Sequence, residues 1–208
     1  MRVKVNETFS LFNTSGEWEA KIKEVSKGIV EFNIIKQLRQ KKNTKEIWLA
    51  FSPIKSNYFN FMIQKATELG ITKFIPLITD RTIVRKINYE RIKKIIIESS
   101  EQSNRISVPG INKLENLQIF LNNFPKEGNL IFCDINSKTN NLKNILSQNI
   151  KGPICVLIGP EGDFSENERQ SIIDMDQSFS LSIASNILRV ETAAIAAISI
   201  VNFHLEKS

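Results

Sequence analysis

The run Ile154-Cys155-Val156-Leu157-Ile158 is apolar at every position and is followed at once by Gly159-Pro160-Glu161-Gly162-Asp163. A strand with no polar alternation buries both of its faces, which places it inside a parallel sheet covered by helices. Just beyond the loop, Ser165 with Glu168 three positions on is the capping-box signature of a helix start. Strand, glycine loop and capped helix in that order commit this part of the chain to an α/β architecture. The loop then lies at the carboxyl end of the sheet, where such folds bind ligands.

The same alternation of strand and helix extends back to Glu46. Ile47–Phe51 and residues 74–78 are apolar and strand-like, and 130–135 repeats the pattern. Phe59, Met62, Ile63, Ala66 and Leu69 follow helical spacing, with Gly70 placed to end the helix. Asn88 can cap a helix carrying Ile92, Ile95, Ile96 and Ser99 on one face, and Leu117, Phe120, Leu121 and Phe124 mark another. Phe179, Leu181 and Ile183 alternate as a last strand, and an Ala- and Ile-rich stretch from Ala193 to about His204 reads as a last, well-buried helix. The expected sheet is mostly parallel with helices on both faces.

The first 35 residues follow a different period. Val3, Val5, Phe9 and Leu11 have strand spacing, and Asn13-Thr14-Ser15-Gly16 supplies a turn. Trp18, Ala20 and Ile22 alternate with charged residues, Ser26-Lys27-Gly28 turns again, and Val30, Phe32 and Ile34 follow. Three short antiparallel strands are too few to stand alone comfortably and suggest part of a small barrel or sheet. Residues 36–45 are basic and without periodicity, which reads as a linker.

Several function classes are excluded by composition. With 208 residues, 41% of them hydrophobic, the chain is long enough for one medium domain or a medium domain plus a small one. No apolar run approaches the ~20 residues of a membrane helix, and Met1-Arg2-Val3-Lys4-Val5 is no signal peptide, so a soluble cytoplasmic protein is expected. Cys133 and Cys155 both sit in apolar runs and read as buried free thiols. His204 is the single histidine, which argues against a His-based metal centre or a Ser-His-Asp triad. The net charge of +6 favours a polyanionic partner such as nucleic acid, although lysines are also an ordinary solvated face.

Two constellations can carry chemistry. The loop 159–163 lacks the Gly-Lys-Ser/Thr of a phosphate loop, and Glu161 and Asp163 have the wrong sign for phosphate. Carboxylates beside glycines suit a ligand with positive charge or amine donors, as S-adenosylmethionine has. The same residues also serve a tight strand-to-helix turn, with the carboxylates favouring the helix N-terminus. The second constellation is Ile183-Ala184-Ser185-Asn186-Ile187-Leu188-Arg189-Val190-Glu191-Thr192-Ala193. There Arg189 offers a planar fork for a phosphate or a base edge, and Glu191 can orient it; an Arg-Glu pair that merely fixes the loop fits equally.

In combination, Ile158-Gly159-Pro160-Glu161-Gly162 followed by Ile187-Leu188-Arg189-Val190-Glu191-Thr192-Ala193 resembles the RsmE family, the 16S ribosomal RNA uridine-N3 methyltransferases of the SPOUT superfamily. Ile63-Gln64-Lys65-Ala66-Thr67-Glu68-Leu69-Gly70, continuing to Pro76 and Arg81, and Glu101-Gln102-Ser103-Asn104-Arg105 before Val108-Pro109 agree with it in the same order. The resemblance implies a PUA-like β domain and basic linker over 1–45, short at its N-terminus, and a SPOUT domain with a C-terminal trefoil knot over 46–208. It implies S-adenosylmethionine as cofactor, small-subunit ribosomal RNA as partner, a homodimer, and neither membrane nor metal. By position, Ile158, Gly159, Pro160, Glu161 and Gly162 form one cofactor wall, and Ile183, Asn186, Ile187 and Leu188 the other. Arg189 and Glu191 are the catalytic candidates, with Arg81, Arg105 and Arg189 on the RNA side.

Where the family usually reads Leu-Gly-x-Arg, this chain has Ile183-Ala184-Ser185-Asn186. Alanine at the glycine position requires a negative φ. The competing readings are a SPOUT methyltransferase of another RNA position or of ribose 2′-oxygen, and a silent RNA-binding member.

Overall fold

The computed structural model describes residues 4–13, 15–40, 45–137 and 151–205. Val3, Thr14 and residues 41–44, included in the strand, turn and linker expectations, lie outside them. The chain divides into two compact units: Met1–Thr44 with Ser100–Val108, and Lys45–Ser99 with Pro109–Ser208.

In the first unit, β1 (Thr8–Asn13), β2 (Gly16–Ser26) and β3 (Ile29–Gln40) form an antiparallel sheet in that order. Lys27 and Gly28 join β2 to β3 with φ of 48° and 82°, the positive pair that a tight two-residue hairpin turn needs. Two expectations are corrected here. Val5 lies outside β1 and is exposed; Asn6 turns the chain with φ of 74°, and the strand begins only at Thr8. Residues 36–40, expected as linker, continue β3 in the ladder with β2, and Lys36 and Arg39 find acidic partners across it. Lys36 pairs with Glu19 at 3.6 Å, and the Arg39 Nε pairs with the Glu17 carboxylate. The rest of the Arg39 fork reaches Asn104, donating to its Oδ1 at 2.7 Å and its carbonyl at 3.1 Å.

The second unit is built on a parallel sheet. Its strands are β4 (Ile47–Phe51), β5 (Lys73–Ile78), β6 (Gly110–Ile111), β7 (Glu115–Asn116), β8 (Asn129–Cys133), β9 (Ile154–Ile158) and β10 (Ser178–Leu181). The order across the sheet is β10-β8-β9-β4-β5-β6, with β7 also on β5, and every pairing is parallel. The wholly apolar strand β9 lies between β8 and β4 and is buried throughout.

Helices cover both faces. Ile47, Leu49, Phe51, Ile131, Ile154 and Val156 point to one side, against α1 (Ser56–Glu68), α2 (Tyr89–Gln102) and α5 (Val190–Leu205). Trp48, Ala50, Leu130, Phe132, Cys155 and Leu157 point to the other, against α3 (Leu117–Asn122) and α4 (Glu166–Ile173). Successive residues of a strand serve opposite cores, which is why these strands carry no polar alternation.

Local signals set the helix ends. Beyond α1, Gly70 takes φ of 96°, its N–H bonds the Thr67 carbonyl and Ile71 N–H bonds that of Ala66, a Schellman ending. Asn88 Oδ1 accepts from Arg91 N at the start of α2. Both halves of the Ser165–Glu168 capping box form at α4. Two boundaries differ from expectation: β8 ends at Cys133 because the chain turns at Asp134, whose carbonyl accepts from Ser137 N at 3.1 Å. Similarly, β10 ends at Leu181, leaving Ile183 in a loop. No helix among the described residues is long and apolar enough to cross a membrane.

Candidate active site

Parallel neighbours end side by side. In register, Cys133 of β8 faces Leu181 of β10, and Phe132 faces Leu157 of β9. The chain therefore leaves three adjacent strands on the same edge, at Asp134, Gly159 and Ser182. The three loops enclose a cavity of about 570 Å³, within the range of small-molecule and cofactor sites.

The β9 loop supplies Ile158, Gly159, Pro160, Glu161, Gly162 and Asp163. It is a tight turn: Asp163 N donates to the Pro160 carbonyl at 2.9 Å, and Asp163 holds φ of 63° with its own Oδ1 accepting from Phe164 N. Gly159 has to be glycine on packing grounds, since a Cβ there would sit 2.8 Å from the buried Phe164 ring. The β10 loop supplies Ile183, Ala184, Asn186, Ile187 and Leu188. Ala184 is not among the residues of positive φ, so alanine is accommodated where the family usually has glycine. Every residue expected on either cofactor wall lines this one cavity.

Arg189 and Glu191 line it as well, where the loop enters α5. The Arg189 carbonyl accepts from Ala193 N at 2.8 Å, which makes it the last residue before the helix, and Glu191 falls in the first turn. A carboxylate there is favoured by the helix dipole. No ion pair joins Arg189 to Glu191 among the described residues. Instead the exposed Arg189 guanidinium lies 5.4 Å from the centroid of the Tyr58 ring on α1, a cation–π arrangement.

Arg81 and Arg105 stand elsewhere. Arg81 follows β5 and donates through Nη1 to the Gly162 carbonyl at 2.7 Å, behind the β9 loop. Arg105 belongs to the first unit, where Nη2 meets Ser107 Oγ at 3.4 Å and burial lowers its pKa.

Asp134 and Tyr58 also line the cavity and were not among the residues expected there. Asp134, 4% exposed, accepts from Arg169 Nη2 of α4 at 2.7 Å and from Asn136 N at 2.9 Å. That hydrogen bond raises the Arg169 pKa further. A lone carboxylate at the carboxyl end of an apolar run was the available signal. Tyr58 left none, because it falls off the apolar stripe of α1. Cys133 and Cys155 are free thiols, and burial raises the pKa of both; such a thiol is inert as a nucleophile.

A parallel sheet whose three adjacent strand ends feed one apolar, carboxylate-bearing cavity defines a cofactor-binding α/β protein. Residues 40–202 match the RNA methyltransferase domain model, and the chain belongs to that family. It is 37% identical over 202 residues to the ribosomal RNA small subunit methyltransferase E of Rickettsia conorii, covering 96% of this chain and 82% of that protein. The crystal structure of ribosomal RNA small subunit methyltransferase E from Neisseria gonorrhoeae bound to S-adenosyl methionine superposes with a TM-score of 0.86. Its identity is 28%, over 97% of this chain and 84% of that one. The fold is shared with the SpoU methyltransferase AviRb of Streptomyces viridochromogenes, at a TM-score of 0.50 and 17% identity over 78% of this chain and 60% of that one.

Proposed function

We propose that this chain transfers a methyl group from S-adenosylmethionine to N3 of a uridine in 16S ribosomal RNA of the small subunit. The observation that carries the proposal is the convergence of the β8, β9 and β10 loops on one cavity with Arg189 at its edge. The residues fit the cofactor. Ile158, Leu181, Ile183, Leu188 and Val190 give an apolar wall for an adenine. Asp134, Glu161 and Asp163 bring carboxylates to a ligand that carries a sulfonium and an ammonium. The relatives named ribosomal RNA small subunit methyltransferase E support the choice of RNA, and one of them binds the same cofactor.

Bound there, S-adenosylmethionine supplies an electrophilic methyl on a sulfur that is already a good leaving group. The protein's task is alignment, which in well-oriented systems lowers a barrier by about 7–11 kcal/mol, together with help for the departing N3 proton. Uridine N3–H is a weakly acidic imide, so negative charge spreads onto the uracil oxygens as the proton leaves. Arg189 stands at the cavity with its guanidinium exposed and is assigned to stabilise that charge. Glu191, two residues on and on the same cavity, is the group available to take the proton or to orient Arg189. Arg105 and Arg81 are assigned to the RNA side.

The finer architecture belongs to the same proposal: a trefoil knot in the C-terminal part of residues 46–208, a PUA-like β domain over 1–45, and a cytoplasmic homodimer. Three register irregularities between β2 and β3 support the barrel-like reading, because bulges curve a sheet.

The test is to incubate the protein with tritiated S-adenosylmethionine and small ribosomal subunits lacking native methylation, then identify the labelled nucleoside. Label in 3-methyluridine is expected. Label on ribose or another base overturns the N3 assignment. Absence of label with cofactor binding intact overturns the catalytic reading in favour of a silent RNA-binding protein.

A further inference from the structure

We infer that Arg81 and Asp80, which follow β5 and do not line the cavity, are positioning residues that hold the β9 loop in its cofactor-binding shape. The inference rests on the cofactor reading above and gives Arg81 a role besides contact with RNA.

Two internal hydrogen bonds shape the loop: Asp163 N donates to the Pro160 carbonyl, and Asp163, at φ of 63°, accepts from Phe164 N through its own Oδ1. Further restraints come from the segment after β5. Arg81 Nη1 donates to the Gly162 carbonyl at 2.7 Å. The Arg81 stem covers the same glycine, since a Cβ on Gly162 would meet Arg81 Cβ and Cδ at 3.5 and 3.6 Å. At the far end of the loop, Ser165 Oγ donates to Asp80 Oδ2 at 2.6 Å, while Asp80 N donates to Glu168 Oε1 at 2.8 Å. Asp80 thus grips both members of the α4 capping box, and Arg81 grips the turn between Gly159 and that box.

The clamp is itself anchored. Ser52, Thr79 and Thr82 are 1%, 3% and 3% exposed, and their hydroxyls meet one another: Thr79 and Thr82 at 2.8 Å, Ser52 with Thr79 at 3.4 Å and with Thr82 at 3.3 Å. Thr79 N donates to Thr82 Oγ1, and Thr82 N to the Thr79 carbonyl. These bonds fix residues 79–82 against the end of β4, which pairs with β9 on its other side. Buried polar groups satisfied by one another hold a single geometry, because any other arrangement leaves one unpaired at a cost. Position is therefore transmitted from two neighbouring strand ends to the loop that faces the cofactor.

The test compares Arg81→Ala, Arg81→Lys and Asp80→Asn with the parent chain. Cofactor affinity is read by calorimetry with S-adenosylmethionine and S-adenosylhomocysteine, RNA affinity without cofactor by filter binding, and methylation by KM and kcat. Arg81→Ala is expected to weaken both cofactors roughly tenfold, the order of one lost charged hydrogen bond. The KM for S-adenosylmethionine should rise with it, the melting temperature of the cofactor-free protein should stay within a few degrees, and Arg81→Lys should recover part of the loss. Unchanged cofactor affinity in soluble, folded Arg81→Ala, whether or not RNA binding falls, overturns the inference. Asp80→Asn keeps the backbone donor and weakens only the Ser165 contact, so it reports even if Arg81→Ala does not fold; unchanged cofactor affinity there has the same meaning. A parent chain that binds neither cofactor overturns the cofactor reading itself, which a normal parent with normal variants does not.

Discussion

Arg169 donates through Nη2 to Asp134 Oδ2 at 2.7 Å, tying helix α4 to the loop that leaves the neighbouring strand β8. The Asp134 side chain is 3% exposed and the Arg169 side chain 25%, so water compensates the carboxylate poorly. Removing only the arginine leaves a buried charge without its partner. Asp134 keeps the Asn136 N donor at 2.9 Å, so Arg169→Ala should cost about 1–3 kcal/mol of stability, measured by urea unfolding. The double variant Arg169→Met with Asp134→Leu should recover most of that loss.

Gly159 meets the Phe164 ring where any other residue would place its Cβ. Gly159→Ala has to push aside a ring that is 5% exposed and edge-on to Phe132 at 5.5 Å. A destabilisation of about 1–3 kcal/mol follows, the usual cost of overpacking. Because the same residue lines the cavity, cofactor affinity measured by calorimetry should fall as well.

Arg189 touches no acidic partner among the described residues and stacks near Tyr58. Arg189→Ala should lower kcat by about 10²–10³-fold, the scale of losing an electrostatic stabiliser, with little change in calorimetric affinity for S-adenosylmethionine. Tyr58→Ala frees the guanidinium without removing it and should cost less, about 0.5–1 kcal/mol of activation energy. Equal activity of Arg189→Ala and the parent in the nucleoside assay contradicts the assignment.

Burial raises the pKa of Cys133 and Cys155, so the folded chain keeps both protonated when the unfolded chain has ionised them. Unfolded thiols titrate near about 8.5. Above that pH the unfolded state binds fewer protons than the folded one, and stability falls as pH rises. The slope approaches about 1.4 kcal/mol per pH unit for each thiol. Urea unfolding between pH 8 and 10 should show it, and replacing both cysteines with alanine should flatten it.

Much of the sheet was legible because its strands carry their burial in their composition. Ile154–Ile158 is apolar throughout since both of its faces meet helices, and Ser165 with Glu168 marked the next helix to the residue. Residues 36–40 show no strand alternation because this end of β3 stays largely exposed even though it pairs with β2. The ladder with β2 gave Lys36 and Arg39 acidic neighbours, which sequence separation hides. The assignment of 158–162 and 183–188 as cofactor walls rests on the resemblance in the paired motifs, because residue pattern alone leaves the 159–163 loop open between a ligand site and a plain turn. Asp134 and Tyr58 depend on which strands are neighbours and on which helix lies over the cavity. Sequence order does not contain that information, as β8 sits between β9 and β10 in space.

The most direct test of the central claim is a crystal structure of the protein soaked with S-adenosylmethionine. The cofactor is predicted between residues 158–162 and 183–188, with its reactive end toward Arg189. Density for the cofactor anywhere outside the cavity shared by the β8, β9 and β10 loops contradicts the account.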